Sequence, residues 1–200
     1  MAERANPKQF KMFKKTRLLG FIPFFVLNPY RKAVFWRYQF ANGFCAGKRV
    51  LDVPCGMGWG TSLLKSASER YGIDISEEAI RDANACYPGA ATFAVGDMTK
   101  LDFVDNFFDV VICLEGIEHV PETVGDQFYQ ECKRVLKPSG KLVLSSPYPI
   151  VGEHSGNPYH IKEYKAEEIR TKLRENQFSI LQEESRKVDN LIVTIFVAQA

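Results

Sequence analysis

Acidic residues recur in this chain where apolar runs stop. Asp52 closes Val50-Leu51-Asp52, Asp74 closes Tyr71-Gly72-Ile73-Asp74, Asp97 follows the run from Ala91 to Gly96, and Glu115 follows Phe107–Leu114. After the first acid comes Val53-Pro54-Cys55-Gly56-Met57-Gly58-Trp59-Gly60, whose glycines occupy every second position. Glycine lets a ligand approach the backbone, and a helix opening beyond such a loop offers its positive N-terminus. By itself the loop also fits tight packing. A carboxylate about twenty residues further on, here Asp74, is placed to hold a pair of ribose hydroxyls. Successive acids at strand ends suit a cationic, hydroxyl-rich ligand with an exocyclic amine. They suit a pyrophosphate poorly, because close anions repel.

A second constellation follows the fourth apolar run. Glu115, Glu118 and His119 form the pattern E-x-x-E-H. Positions three and four apart share one face of a helix, so two carboxylates and an imidazole there could converge on a divalent ion. A fourth ligand is available from the segment Glu153–Tyr164, which carries His154 and His160. Mixed oxygen and nitrogen ligands suit several divalent metals, so spacing does not name one. The alternatives are a metal-free general base, His119 or His160, and a histidine that only organises its loop.

The alternation of apolar and amphipathic segments predicts the elements that must carry these residues. Strands are expected at Arg49–Val53, Arg70–Asp74, Thr92–Val95, Phe108–Leu114 and Lys141–Ser146, and helices at Thr61–Ser68, Glu77–Cys86 and Glu122–Val135. Ser76 is an N-cap ahead of two acids that suit the helix dipole. Lys137-Pro138-Ser139-Gly140 reads as the turn into the fifth strand. A helix is expected at Ala166–Glu175, then strands at Phe178–Glu184 and Leu191–Ala198 joined through Asp189-Asn190. Strands so close in sequence must be antiparallel, since a parallel partner needs a long crossover.

In these segments the chain resembles the class I S-adenosylmethionine-dependent methyltransferases. The resemblance is carried in order by VLDVPCGMGWG, YGIDIS, AVGDMTKLDF, FDVVICLEGIEHV and RVLKPSGKLVLSSPYP, and runs from about Phe35 to the C-terminus. It implies a Rossmann-like α/β fold: a seven-stranded, mostly parallel sheet with helices on both faces and a C-terminal antiparallel hairpin. A dehydrogenase nucleotide domain would end instead on another parallel unit. The resemblance also implies S-adenosyl-L-methionine as cofactor. Asp52, Gly56 and Gly58 would surround its methionine part, with Cys55 in the same loop and Leu114 along that side. Asp74 would hold the ribose, Ile75 the adenine face, and Asp97 and Met98 the adenine edge. Arg37, in Phe35–Ala41, would meet the carboxylate end of the cofactor, or lie on the surface of an amphipathic helix. Pro54 departs from the pattern, which has glycine there. Proline fixes φ and removes a backbone donor, so the loop entry is expected to be rebuilt.

The E-x-x-E-H unit is similar to that of metal-dependent O-methyltransferases of ubiquinone biosynthesis and of small-RNA 2′-O-methyltransferases. This implies a divalent metal such as Mg²⁺ on Glu115, Glu118, His119 and His160, with His154 second choice to His160. Without a metal, His119, His160 and Glu115 would be the catalytic residues.

Composition fits one enzyme domain: 200 residues, 46% hydrophobic, net charge +2. Up to Arg49 there are eleven Lys or Arg and one acid, whereas the remainder holds fifteen basic and twenty-three acidic residues. A basic, aromatic-rich cap segment, 1–45, is therefore expected ahead of a methyltransferase domain, 46–200. Its apolar run Leu18–Leu27 is too short to span a bilayer, which takes about twenty residues. It reads as a cap over the cofactor pocket, as a peripheral membrane contact through residues 8–32, or as a nucleic-acid arm. Five cysteines without a close pair read as reduced, mostly buried thiols of a cytoplasmic protein.

Methyl transfer is an in-line displacement, so alignment and exclusion of water carry much of the rate. A hydroxyl acceptor must also lose its proton, whereas an amine needs only to be unprotonated. The expected activity is methylation of a small molecule, oxygen ahead of nitrogen. A metal-assisted RNA 2′-O-methyltransferase and a non-catalytic S-adenosylmethionine-binding protein are the alternatives. The acidic catalytic part argues against a nucleic-acid partner.

Overall fold

The computed structural model describes residues 29–200. Its sheet has seven strands: β1 (Arg49–Asp52), β2 (Glu69–Asp74), β3 (Thr92–Val95), β4 (Phe108–Leu114), β5 (Leu136–Pro149), β6 (Ser179–Val188) and β7 (Leu191–Gln199). The helices are α1 (Pro29–Asn42), α2 (Trp59–Ser62), α3 (Glu77–Cys86), α4 (Glu122–Val135) and α5 (Ala166–Glu175), with a 3₁₀ turn at Ile117–His119. Strand order is β3-β2-β1-β4-β5-β7-β6. The first five strands are parallel, and β7 runs antiparallel to both β5 and β6. This is the expected mostly parallel sheet with its terminal hairpin. The chain reverses direction across the sheet between β1 and β4, so a crevice opens beyond their carboxyl ends.

Period-two alternation divides the core between the two faces. Leu51, Val111 and Cys113 pack with Phe128, Tyr129 and Cys132 of α4 and Ile169 and Leu173 of α5. Their neighbours Val50, Val110 and Ile112 pack on the opposite face with Tyr38, Ala41 and Cys45. The end of the expected cap segment therefore belongs to the core of the α/β domain. The membrane contact expected through residues 8–32 falls, up to residue 28, outside the described residues. No helix among the described residues is long and apolar enough to cross a membrane. All five cysteines are free, four of them buried and Cys86 exposed.

Helices α3, α4 and α5 match their expected bounds, and the cap of α3 forms as its sequence indicates. The Ala79 N–H donates to Ser76 Oγ at 3.2 Å, and Glu77 and Glu78 occupy the first turn. Three elements differ, one of them β6, which runs on to Val188 rather than ending at Glu184. The helix expected over Thr61–Ser68 is only the single turn α2. Ser66 leaves the helical path to bond the end of α1: its Oγ donates to the Asn42 carbonyl and its N–H to Asn42 Oδ1. The fifth strand begins earlier than expected, and the Lys137–Gly140 turn becomes an irregularity within it. There β4 residues Phe108 and Val110 pair with Leu136 and Lys141, and Ser139 takes φ 66°.

Candidate active site

A cavity of about 900 Å³ lies beyond the carboxyl ends of β1, β2 and β4. The loop after β1 forms its floor and is stitched to both neighbouring strands. The Val53 N–H donates to the Ile112 carbonyl, and the Cys55 N–H to the Ile73 carbonyl, both at 2.9 Å. Pro54 sits at the loop entry with its ring against Gly116. A β-carbon on Gly116 would lie 2.4 Å from Pro54 Cδ, so glycine at 116 accommodates the proline at 54.

Asp74 stands at the end of β2 on the cavity wall. Its Oδ2 accepts the Gly56 N–H at 2.8 Å and its Oδ1 the Ser76 N–H at 2.9 Å, which fixes the carboxylate against the loop. Ile75 beside it lines the cavity although 72% exposed, an open apolar surface suited to a flat ring. Asp97 and Met98 line the same end, and Asp97 Oδ1 accepts both the N–H and the hydroxyl of Thr99 at 2.8 Å. Cys55, Gly56 and Leu114 also line the cavity.

Two expected cofactor contacts lie off the cavity wall. Asp52 is fully buried behind the loop and is absent from the cavity wall. Thr61 Oγ donates to its Oδ2 at 2.6 Å, and Tyr38 OH lies within 3.1–3.2 Å of both oxygens. Burial pushes its carboxyl up to about 7, opposed by the hydrogen bonds from Thr61 and Tyr38 and aided by Asp74. Gly58 is also off the cavity wall. It takes φ 76°, and a β-carbon there would come within 2.9 Å of both Phe93 and Ala83, so its role is close packing. With α2 a single turn, the loop leads into no long helix dipole.

Arg37 is not the surface arginine of the alternative reading. It is 3% exposed and lines the cavity. Its guanidinium lies 3.7 Å from Glu115 Oε2, and its Nε has no hydrogen-bond partner among the described residues. Glu115 takes φ 56° at the end of β4. Ser145 of β5 holds it there: Ser145 Oγ donates to Glu115 Oε1 at 2.9 Å and accepts the Glu115 N–H at 3.2 Å.

The left-handed turn at Glu115 decides the fate of the E-x-x-E-H unit. Glu115 falls before the 3₁₀ turn and off its face, so it does not join the candidate metal cluster. That cluster is Glu118, His119 and His160, whose ligating atoms lie within 4.8 Å of one another. Glu118 is fully buried and neither carboxylate oxygen has a hydrogen-bond partner among the described residues. Burial, with repulsion from Glu115, raises its pKa well above the usual range. The loop after β5 folds back onto this turn, where the Glu118 carbonyl accepts the Ile161 N–H at 2.7 Å and the Lys162 N–H at 3.2 Å. His119 Nδ1 donates to the Tyr159 carbonyl at 3.0 Å, and the His119 and His160 ring centroids are 4.9 Å apart. His154 stands outside the cluster, with Nε2 donating to the His160 carbonyl and Nδ1 accepting the Gly156 N–H.

Sequence reading missed several contributors. Thr61, Ser145 and Glu163 act by holding other side chains, and nothing in their local sequence marks that. Pro147 of β5 and Val188, Leu191 and Val193 of the hairpin line the cavity on strands that lie across β1 and β4 from Asp74, and Val34 lines it too. The site thus pairs an acid-lined end suited to a nucleoside with a carboxylate–imidazole cluster and apolar walls.

Residues 51–144 match the family described as Methyltransferase domain. A probable S-adenosylmethionine-dependent methyltransferase of Mycolicibacterium smegmatis is 33% identical over 148 residues, covering 72% of this chain and 56% of that protein. A ubiquinone biosynthesis O-methyltransferase of Actinobacillus pleuropneumoniae is 36% identical over 136 residues, covering 64% of this chain and 56% of the relative. The chain thus spans about half the length of the curated relatives it matches. A Pyrococcus horikoshii protein of solved structure superposes with a TM-score of 0.68 at 26% identity, covering 90% of this chain and 99% of that one. With the sheet order, the cavity and these matches together, the chain belongs to the class I S-adenosylmethionine-dependent methyltransferases.

Proposed function

We propose that this protein transfers the methyl group of S-adenosylmethionine to an oxygen of a small, partly apolar molecule. The observation that carries this reading is the convergence of Glu118, His119 and His160 beside an apolar cavity end. S-adenosylmethionine supplies a sulfonium-bound methyl group open to in-line attack. Asp74 and Asp97 offer carboxylates to hydroxyl and amine groups of the nucleoside, and Ile75 an apolar face to its base. Arg37 is a buried cation able to receive a carboxylate. At the other end, Val34, Pro147, Val188 and Leu191 hold the acceptor and exclude water. An acceptor hydroxyl must shed a proton, and the imidazoles of His119 and His160 stand on that wall to take it. An amine would need no such group, which is why oxygen is favoured. The ubiquinone biosynthesis O-methyltransferase among the relatives supports an acceptor of this kind.

A divalent cation on Glu118, His119 and His160 is a second reading, supported by one observation. The buried Glu118 carboxylate has two oxygens without a partner among the described residues, and a cation would satisfy them. One carboxylate and two imidazoles fit several divalent metals, and such an ion would acidify the acceptor hydroxyl.

The deciding experiment incubates the protein with S-adenosylmethionine and a panel of phenols, catechols and amines, with and without EDTA, and follows methylated products by mass. Methylated phenols or catechols are expected. Products on amines alone overturn the oxygen preference, and activity unchanged in excess EDTA removes the cation. Saturable binding of NAD with no binding of S-adenosylhomocysteine sinks the whole reading.

A further inference from the structure

Glu163 lies outside the E-x-x-E-H unit and three residues after His160. Its side chain is fully buried, yet it is an acid in the loop over the site. It is fully engaged: it accepts the Ser155 N–H at 2.7 Å, the Ser155 hydroxyl, and the imidazole of His160 at Nδ1. The N–H and the hydroxyl of Ser155 both donate to it, so it stands there as an acceptor. The His160 nitrogen facing it must then carry the proton.

A second set of contacts reaches the same conclusion independently. The Asn157 side chain is oriented by its Oδ1, which accepts the Tyr159 N–H at 3.0 Å. Its Nδ2 is thereby turned to His160 Nε2 at 2.9 Å. An amide nitrogen can only donate, so Nε2 must present a lone pair. The sequence Asn157 Nδ2–H to Nε2, then Nδ1–H to Glu163, is the one assignment that satisfies both ends. His160 and Asn157 both line the cavity, and His160 belongs to the cluster with Glu118 and His119.

We propose that Glu163 is the positioning residue of this site, holding His160 as the Nδ1–H form, so that Nε2, which accepts from Asn157 in this structure, is the nitrogen able to take a proton or a cation once Asn157 gives way. The inference deepens the methyltransferase reading and rests on it for its kinetic consequence. A carboxylate behind an imidazole locks ring orientation and strengthens the far nitrogen, whether that nitrogen takes a proton or binds a cation. Losing such a partner costs about 10–100-fold.

The test is a double-mutant cycle on the full chain with S-adenosylmethionine and the best acceptor of the panel. Glu163→Gln should lower kcat by about 10–100-fold with the affinity for S-adenosylhomocysteine kept within about twofold. In a His160→Ala background the same change should cost less than about twofold, because the partner it acts through is gone. An equal loss in both backgrounds means Glu163 only pins the loop through Ser155, and overturns the proposal. Nitrogen-15 NMR of the wild-type imidazoles needs neither activity nor a stable variant. It should show His160 protonated at Nδ1, and His160 protonated at Nε2 alone overturns the assignment. Absence of methyl transfer by the wild-type protein on every acceptor would count against the proposed function, and the NMR result would still decide the dyad.

Discussion

At the scale of single residues, the acids of this site divide by what surrounds them. Asp74 and Asp97 reach the cavity with part of their hydrogen-bonding capacity used by nearby backbone. Asp52 is turned inward, where Tyr38 and Thr61 tie it to α1 and α2. It therefore supports the loop from behind and has a consequence for stability. Its folded pKa, about 7, lies above the ordinary carboxyl value of 3.8, so between these values the folded state holds a proton the unfolded chain has lost. That contribution is complete below pH 4 and is lost as pH rises through 7. Asp52→Asn cannot ionise, so the urea midpoint of the wild type should fall more steeply from pH 4 to 7 than that of the variant. Parallel profiles would show that Asp52 is ionised throughout. Pro54 illustrates a compensated departure: the ring that replaces the usual glycine is admitted by a glycine 62 residues later in the chain, Gly116.

At the scale of elements, the terminal hairpin does more than complete the sheet. The ends of β6 and β7 carry Val188, Leu191 and Val193 into the cavity wall, on strands across β1 and β4 from Asp74, while β5 supplies both Pro147 and the Ser145 that steadies Glu115. Half-buried Leu191 pairs with Pro149 across the β5–β7 ladder, so its side chain can be changed without opening the central core. Leu191→Asp should raise the KM of an apolar acceptor by roughly tenfold or more, since burying an unpaired carboxylate costs more than about 1.4 kcal/mol. The affinity for S-adenosylhomocysteine should stay within about twofold. An unchanged acceptor KM would remove the hairpin from the acceptor site. The one-turn length of α2 belongs to this scale too, because the bonds between Ser66 and Asn42 end it by holding the following chain on α1.

At the scale of the whole molecule, the cavity joins parts that folding alone brings together: α1, the β1 loop, the strand ends and the loop after β5. A ligand bridging them should act as a clasp. S-adenosylhomocysteine at about one hundred times its Kd should stabilise the fold by about 2.7 kcal/mol. For a chain of this size that raises Tm by roughly 5–10 °C. NAD at the same concentration should leave Tm unchanged, and a reversed order of the two shifts would sink the cofactor assignment.

The bounds of β3, β4, α3, α4 and α5 and the Asp189-Asn190 turn were all readable from the sequence, as was the antiparallel end of the sheet. These features depend on local periodicity, capping and short-range turn chemistry, which a linear chain displays. The acid-ended strands and the alternating glycines likewise marked the loop and strand ends that border the cavity. Tertiary structure alone decided that Asp52 faces away from that cavity, that Glu115 leaves the cluster, and that Glu163 stands behind His160. Each of those outcomes turns on the direction of one side chain, set by a left-handed turn or by hydrogen-bond partners on other elements. Spacing along the chain carries no record of either.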